Sequence, residues 1–188
     1  MALDDLRDLP ARGFDDALTR LARAGATITR FKAPEVSVAL SLAGFLFTAE
    51  AYAIWSQTIE TAPEKMFPRI LERFRAGAAI KATDYIEGWR RLRALRIIYA
   101  QTTARFDAVL IPTSSILPPN TNRPMTDHDY YITENLLALR NTRIGNLMEQ
   151  CVLTLPAGQP SCGLSIMCAP GTEERLLQIS LAAERALG

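Results

Sequence analysis

The apolar positions Val36, Leu40, Ala43, Phe47, Ile54 and the acidic Glu50 recur at alternating steps of four and three, while Leu42, Phe45 and Leu46 make the opposite side apolar as well. That spacing predicts a helix with neighbours on more than one side, central in the fold. Before it, Asp15 reads as an N-cap and Leu18 and Leu21 share a face. Gly25 stands where a C′ glycine ends a helix, so the first helix is expected to be short. Residues 26–31 (ATITRF) are rich in β-branched side chains and stop before Pro34, which predicts a strand. Residues 63–76 predict a helix closed by Gly77. Thr83 and Asp84 start a long one carrying Tyr85, Trp89, Leu92, Leu95 and Tyr99 at helical spacing, with Trp89 and Tyr99 as core residues.

The second half alternates in the same way. Residues 106–111 (FDAVLI) form a continuous apolar run of the kind buried on both faces, and Pro112 ends it because proline has no ladder donor. Pro118, Pro119 and Pro124 are expected to hold the next segment extended. Residues 130–147 return to helical spacing. Residues 151–155 and 163–168 read as strands around the turn PAGQPSC, and Glu173 opens a final helix with Leu176, Ile179 and Ala183 inward. The order of elements predicts an α/β fold, a mixed sheet flanked by helices, in a single domain over residues 1–188.

Composition narrows the function classes. Of 188 residues, 48% are hydrophobic and 22% charged, and a net charge of +1 gives no single-signed field to attract nucleic acid or an acidic membrane. Arg90, Arg93 and Arg96 form a basic row that reads as a solvated face with internal ion pairs. Glu50, on the apolar stripe without a histidine or second acid nearby in sequence, reads as a hydrogen-bonded structural carboxylate. Cys151, Cys162 and Cys168, eleven and six residues apart, match no zinc or CxxC spacing. His128, the only histidine, lies far from them between Asp127 and Asp129 and is expected to be exposed. No metal, cofactor or disulfide is expected. The acidic start MALDDLRDLP does not resemble a signal peptide, and the apolar run 37–49 falls short of the roughly 20 residues that span a bilayer. A cytoplasmic protein without a membrane partner is the expectation.

Ser114 and Ser115 follow the strand at 106–111, which raises the possibility of a nucleophile on a strand-to-loop turn. Such a turn needs flanking glycines, and neither serine has one. No histidine lies within ten residues and no lysine within thirty. The segment reads as a loop, and no catalytic residue is assigned.

Motifs across the chain resemble the amidase signature family. Asp107, Pro112 and Thr113 occupy the places of that family's Asp-apolar-Pro-Thr strand and loop. Asn146, Pro156, Ala157 and Gly158 keep the spacing of its Asn-to-Pro-Ala-Gly segment, followed by Gly163 and Leu164, then Glu173, Leu176, Leu177 and Glu184. Ala49, Glu50 and Ala51, and Gly77, Ala82, Asp84 and Tyr85, are similar to the middle of such amidases, so the likeness runs from about residue 9 to 187. Glu149 and Cys151 depart from it, standing where many members have glycine and proline. The resemblance implies the C-terminal part of an amide hydrolase, inactive alone, because the family's Ser-Ser-Lys machinery belongs to a preceding region. It implies as partners the N-terminal amidase half or further copies of this chain in a homo-oligomer, and a small carboxamide as substrate. Pro112, Thr113 and Ser114 are the substrate-binding candidates, on a loop at a strand's carboxyl end, where α/β sheets place ligands. The alternative is a stand-alone, non-catalytic binding protein derived from the same scaffold.

Overall fold

Three strands carry the architecture: β1 (Val109–Pro112), β2 (Cys151–Pro156) and β3 (Gly163–Cys168), in the order β1-β3-β2. The computed structural model describes residues 1–188, the side chains of Pro124 and Met125 excepted. Both ladders are antiparallel, Val109 opposite Met167 in one and Cys151 opposite Cys168 in the other. The α/β class holds, and the mixed pairing expected of the sheet is not found among these three strands. The turn between β2 and β3 closes through Ala157 N–H to the Cys162 carbonyl (3.0 Å) and Cys162 N–H to the Gln159 carbonyl (3.1 Å).

Seven helices surround the sheet among the described residues: α1 (Asp8–Arg23), α2 (Pro34–Thr61), α3 (Pro68–Arg75), α4 (Ala82–Thr103), α5 (Arg123–Thr126), α6 (His128–Leu147) and α7 (Glu173–Leu187). Strand alternation sends neighbouring side chains to opposite faces. Val109, Ile111 and Met167 join Val36, Leu46, Leu92, Tyr99 and Leu147 in a core under α2, α4 and α6. Leu164 and Ile166 join Phe14, Leu21, Leu176 and Ala183 in a second core under α1 and α7.

Several boundaries differ from expectation. Helix α1 begins at Asp8, so Asp15 lies inside it rather than capping it, and the Asp15 carbonyl accepts from Thr19 Oγ1 at 2.9 Å. Pro10 is tolerated in the first turn, where an N–H has no partner in any case. Residues 26–31 join no ladder. The helix expected over 63–76 is divided, because Pro68 starts a new helix: a 3₁₀ turn at Pro63–Lys65 precedes α3, and a second at Ala76–Ala79 follows it. The proline-rich stretch is interrupted by the single helical turn α5. The expectation for Pro124 falls on a side chain outside the described residues.

Helix α2 has 28 residues, more than twice the thirteen of run 37–49. By length and composition alone it is apolar enough to cross a membrane, so the length argument does not hold for the whole helix. Its first half is covered by protein in this structure, and α3, α4, α6 and the 3₁₀ turn at Ala76–Ala79 pack against the helix. A Cβ on Gly77 would lie 2.0 Å from the Thr48 carbonyl oxygen, so only glycine lets these backbones meet. Glu50, as expected, is held structurally, accepting from Tyr85 Oη (2.6 Å) and Trp89 Nε1 (3.1 Å).

Candidate functional site

The end of β1 and the loop after it carry the predicted site residues. Thr113 shares the sheet face of Val109 and Ile111, and register places Ser165 and Thr154 beside it. The three hydroxyls form one cluster. Thr113 Oγ1 lies 2.7 Å from Ser165 Oγ, Thr154 Oγ1 lies 3.2 Å from Ser165 Oγ, and Thr113 Oγ1 donates to Thr154 Oγ1 at 3.4 Å. Gly163 makes room for it, because a Cβ there would stand 2.8 Å from Thr113 Oγ1 and from Thr154 Cγ2. Ser165 is buried, Thr113 half-buried and Thr154 exposed, so the cluster opens to solvent at one side.

The flanking residues are held by α6. Pro112 is buried, and its carbonyl accepts from the buried Asn141 Nδ2 (2.7 Å), which also reaches the Ala2 carbonyl (3.0 Å). Ser114 Oγ donates to the Ile116 carbonyl (2.9 Å) and accepts from Ile116 N–H (3.3 Å), closing a local turn. Ser115 is buried and accepts from Arg140 Nη2 (2.7 Å), while its carbonyl accepts from Arg7 N–H (3.0 Å). Arg7 and Arg140 also bind Glu134 and Asp5, which ties the N-terminal residues and α6 to this loop.

The structure thus gathers Thr113 with Ser165 and Thr154, leaves Ser114 in its own turn and seals Pro112 inside. Ser165, Thr154, Asn141 and Arg140 were not singled out from the sequence. Ser165 had a signal: it is the one polar residue in the run GLSIMC, which marks a site where a buried strand meets hydrogen-bonding partners. Among the described residues, no hydroxyl of this corner is bonded to a lysine or histidine. Arginine beside Ser115 offers donors only and takes no proton.

Three arginines stand between α3 and α6 without a carboxylate partner among the described residues: Arg69, Arg73 and Arg143. Arg73 donates to Asn135 Oδ1 (3.2 Å). Arg69 lies 4.7 Å from the Tyr131 ring centroid, with its Nη1 buried and unbonded. Burial, and then the charge of Arg73, pulls the Arg143 guanidinium below the usual arginine range. Such a group favours an anion with planar, paired acceptor oxygens. Among the described residues there is no cluster of His, Cys, Asp and Glu suited to a metal ion, and the three cysteines are free thiols.

The departures at Glu149 and Cys151 also have a physical account. Glu149 adopts φ 58°, the left-handed conformation that glycine takes without strain, so the turn keeps a glycine-like backbone with a side chain added. Arg96 holds it, donating to Glu149 Oε2 (2.9 Å) and to the Leu147 carbonyl (2.7 Å). Cys151 opens β2, and its thiol donates to Glu173 Oε1 at 3.3 Å.

Comparison with known proteins matches the chain, over residues 4–177, to the family described as Amidase. It is 31% identical over 194 residues to 2-amino-5-chloromuconic acid deaminase of Comamonas testosteroni, an alignment covering 98% of this chain and 41% of that protein. The fold is similar to that of Kluyveromyces lactis allophanate hydrolase (TM-score 0.83, 14% identity, 96% of this chain and 30% of that one). It is also similar to 6-aminohexanoate cyclic dimer hydrolase bound to substrate (TM-score 0.80, 18% identity, 97% and 42%). The chain therefore spans less than half the length of these relatives.

Proposed function

The chain belongs to the amidase family, and from that premise we propose that it forms one wall of a cleft in which a carbon–nitrogen bond is hydrolysed, the chemistry itself depending on the rest of the amidase fold. One observation carries this reading: every hydroxyl of the Thr113 corner is engaged by another hydroxyl, by backbone or by Arg140. Amide hydrolysis needs an activated nucleophile, donors aimed at the developing oxyanion, and a proton for the leaving amine. Thr113, Thr154 and Ser165 can orient a carbonyl or amide group by hydrogen bonds, but they hold no base. The remaining parts belong to the N-terminal half of the amidase fold, which carries the serine and lysine that the family uses.

The substrate we propose carries a carboxylate. Arg69, Arg73 and Arg143 have no carboxylate partner among the described residues, and the Comamonas relative is named for an acid. Without its partner the chain would self-associate through uncovered apolar residues of α2 and α4.

The test is ammonia release from a panel of linear amides, with and without a carboxylate, by the chain alone and co-expressed with the part of the Comamonas relative that it does not match. The expected result is no turnover alone and turnover together, with Thr113→Trp narrowing the range of amides accepted. Serine-dependent turnover by the chain alone would overturn the reading. A complex that binds a carboxamide but releases no ammonia would favour a non-catalytic binding protein instead.

A further inference from the structure

Strand register sets two of the three cysteines opposite each other. Cys151 opens β2 and Cys168 ends β3, and the two are partners in the antiparallel ladder, although seventeen positions separate them in sequence. The bond from Ala157 N–H to the Cys162 carbonyl fixes which pairs of this ladder exchange hydrogen bonds, and counting back by twos brings that phase to Cys151 and Cys168. Such a pair holds its Cα atoms about 5.5 Å apart with both side chains on one face, inside the roughly 4.4–6.8 Å that a disulfide spans. The spacing of the cysteines along the sequence gives no sign of this, because only the ladder brings them together.

The two thiols have unlike surroundings. Cys168 is buried in the core under α1 and α7, its thiol donating to the Asp107 carbonyl (3.6 Å). Cys151 packs against the same core and is half-buried. Its thiol donates to Glu173 Oε1 at the start of α7 (3.3 Å), and it lines a cavity of about 490 Å³ with Glu149, Gln150, Gly171 and Glu173. Burial pushes the Cys168 thiol up against the charge of Arg175, and the neighbouring Cys151 adds to the rise. Cys151 is thus the thiol that a reagent reaches first, and Cys168 the one that can attack it afterwards. Cys162 can join neither. It stands six residues from Cys168 along β3, roughly 20 Å at about 3.4 Å per residue, and its place opposite Ala157 puts it as far from Cys151. Cys151 is also one of the two departures from the family pattern, and the proline that many members have there offers no thiol, so the pair belongs to this chain rather than to the fold.

We propose that Cys151 and Cys168 form a reversible cross-strand disulfide, made by exchange with a small disulfide such as oxidised glutathione and broken by the corresponding thiol. The Cys151 thiolate, released from Glu173, attacks one sulfur of the small disulfide and displaces its first thiolate. Cys168, once deprotonated, attacks the Cys151 sulfur and displaces the second. The two protein thiols are oxidised and the small disulfide is reduced to two thiols, which take up the two protons, so no other electron acceptor is needed. The structure shows the reduced form, with both thiols free. The bond ties the open end of the hairpin whose other face carries Thr154 and Ser165, three residues along each strand from the cysteines. Oxidation thereby clamps together the two strands that hold the hydroxyl cluster, and it frees the Glu173 carboxylate in the first turn of α7.

The test equilibrates the folded full chain with mixtures of reduced and oxidised glutathione, quenches with acid, and maps the peptides by mass spectrometry after alkylation. As the oxidised share rises, one cross-link joining Cys151 to Cys168 is expected, with alkylation of Cys151 falling about tenfold or more and returning on reduction with dithiothreitol. Cys168→Ser is expected to trap Cys151 as its mixed disulfide with glutathione, and Cys162→Ser to leave the cross-link unchanged. The wild-type map decides the matter even where a variant fails to fold. A wild type that accumulates the Cys151 mixed disulfide as fully as Cys168→Ser, a cross-link to Cys162 or between chains, or free thiols throughout an excess of oxidised glutathione would each overturn the inference.

Discussion

Helices α1 and α2 follow each other in the chain and obey different rules. In α1 the buried residues Pro10, Gly13, Phe14, Ala17 and Leu21 fall on one face, and Arg12, Asp15, Asp16, Arg20 and Arg23 occupy the other positions. Its apolar stripe matches its neighbours, the sheet and α7. In α2 the apolar residues run round the whole helix. Val36, Ala39, Leu42, Ala43 and Leu46 are buried in its first half, whereas Ile54 is 71% and Trp55 53% exposed in its second. A pattern of apolar side chains records the neighbours a helix has been selected to meet. In α1 that record is complete within this chain, and in α2 it is longer than the covering elements. The surplus agrees with a family fold more than twice the length of this chain.

The comparison breaks if the covered part of α2 is not held more tightly than α1. The largest effect is expected at Gly77, where backbone meets backbone. Gly77→Ala drives a methyl group into the Thr48 carbonyl, and relief requires moving the 3₁₀ turn off α2. A loss of about 3 kcal/mol or more is expected in urea unfolding, against about 0.5 kcal/mol or less for Arg12→Ala on the solvent face of α1. Similar losses from the two would show that the covered part of α2 is not clamped at that point.

Tyr99 tests the first half of α2 through pH. Burial, and then the negative charge of Glu35 on α2, pushes its phenol up to about 12. The folded state therefore keeps a proton that the unfolded chain releases near 10, so the stabilisation is complete below pH 10 and is lost as pH rises to 12. Two units correspond to roughly 3 kcal/mol at the upper end of that window. Tyr99→Phe removes the titration, so the stability difference between wild type and variant is expected to shift in favour of the variant between pH 10 and 12. Parallel stability curves over that range would mean that Tyr99 is not confined against α2.

How far the sequence carried this picture differs along the same line. Helical period and caps located α4, α6 and α7 closely, and the hairpin turn located β2 and β3, because all are set by local spacing and by neighbours inside the chain. Residues 26–31 have strand chemistry but no ladder, since a strand forms only when another backbone accepts its hydrogen bonds, and sequence does not show which backbone is at hand. Asp15 misled for a related reason: an aspartate followed by apolar spacing marks a helix start only when the preceding turn is not itself helical, and here Asp8–Arg23 is continuous. At the candidate site, Thr113 was legible through the family motif. Its hydroxyl partners were not, because Thr154 and Ser165 reach it only through the register of two ladders.

A middle-sized effect is expected at Glu50, where the covered and uncovered parts of α2 join. Its carboxylate accepts from both Tyr85 and Trp89 of α4. Glu50→Leu leaves two donors without an acceptor in a partly buried place, for a loss of about 2 kcal/mol, and Glu50→Gln, which keeps an acceptor oxygen, is expected to recover at least half of it. Equal losses from the two variants would mean that charge, rather than the hydrogen bonds, joins the helices.

The smallest effect on stability, and the one that separates α1 from α2 most sharply, is expected at Ile54 and Trp55. Both side chains lie largely in solvent, so replacing them with serine removes little burial within the chain, and the unfolding free energy should change by about 0.5 kcal/mol or less. Association should respond differently. If their apolar surface is what remains after the covering polypeptide is taken away, it drives copies of the free chain together, and the double variant should shift the mass measured by light scattering toward the monomer at concentrations where the wild type is larger. Exposed Leu9 on α1 supplies the control, because it follows the charged Asp8 and lies one turn from Arg12, and Leu9→Ser should leave the mass unchanged. A wild-type chain that is monomeric at high concentration, or a double variant that unfolds with the loss expected of a core residue, would mean that the second half of α2 already has all the neighbours its sequence calls for.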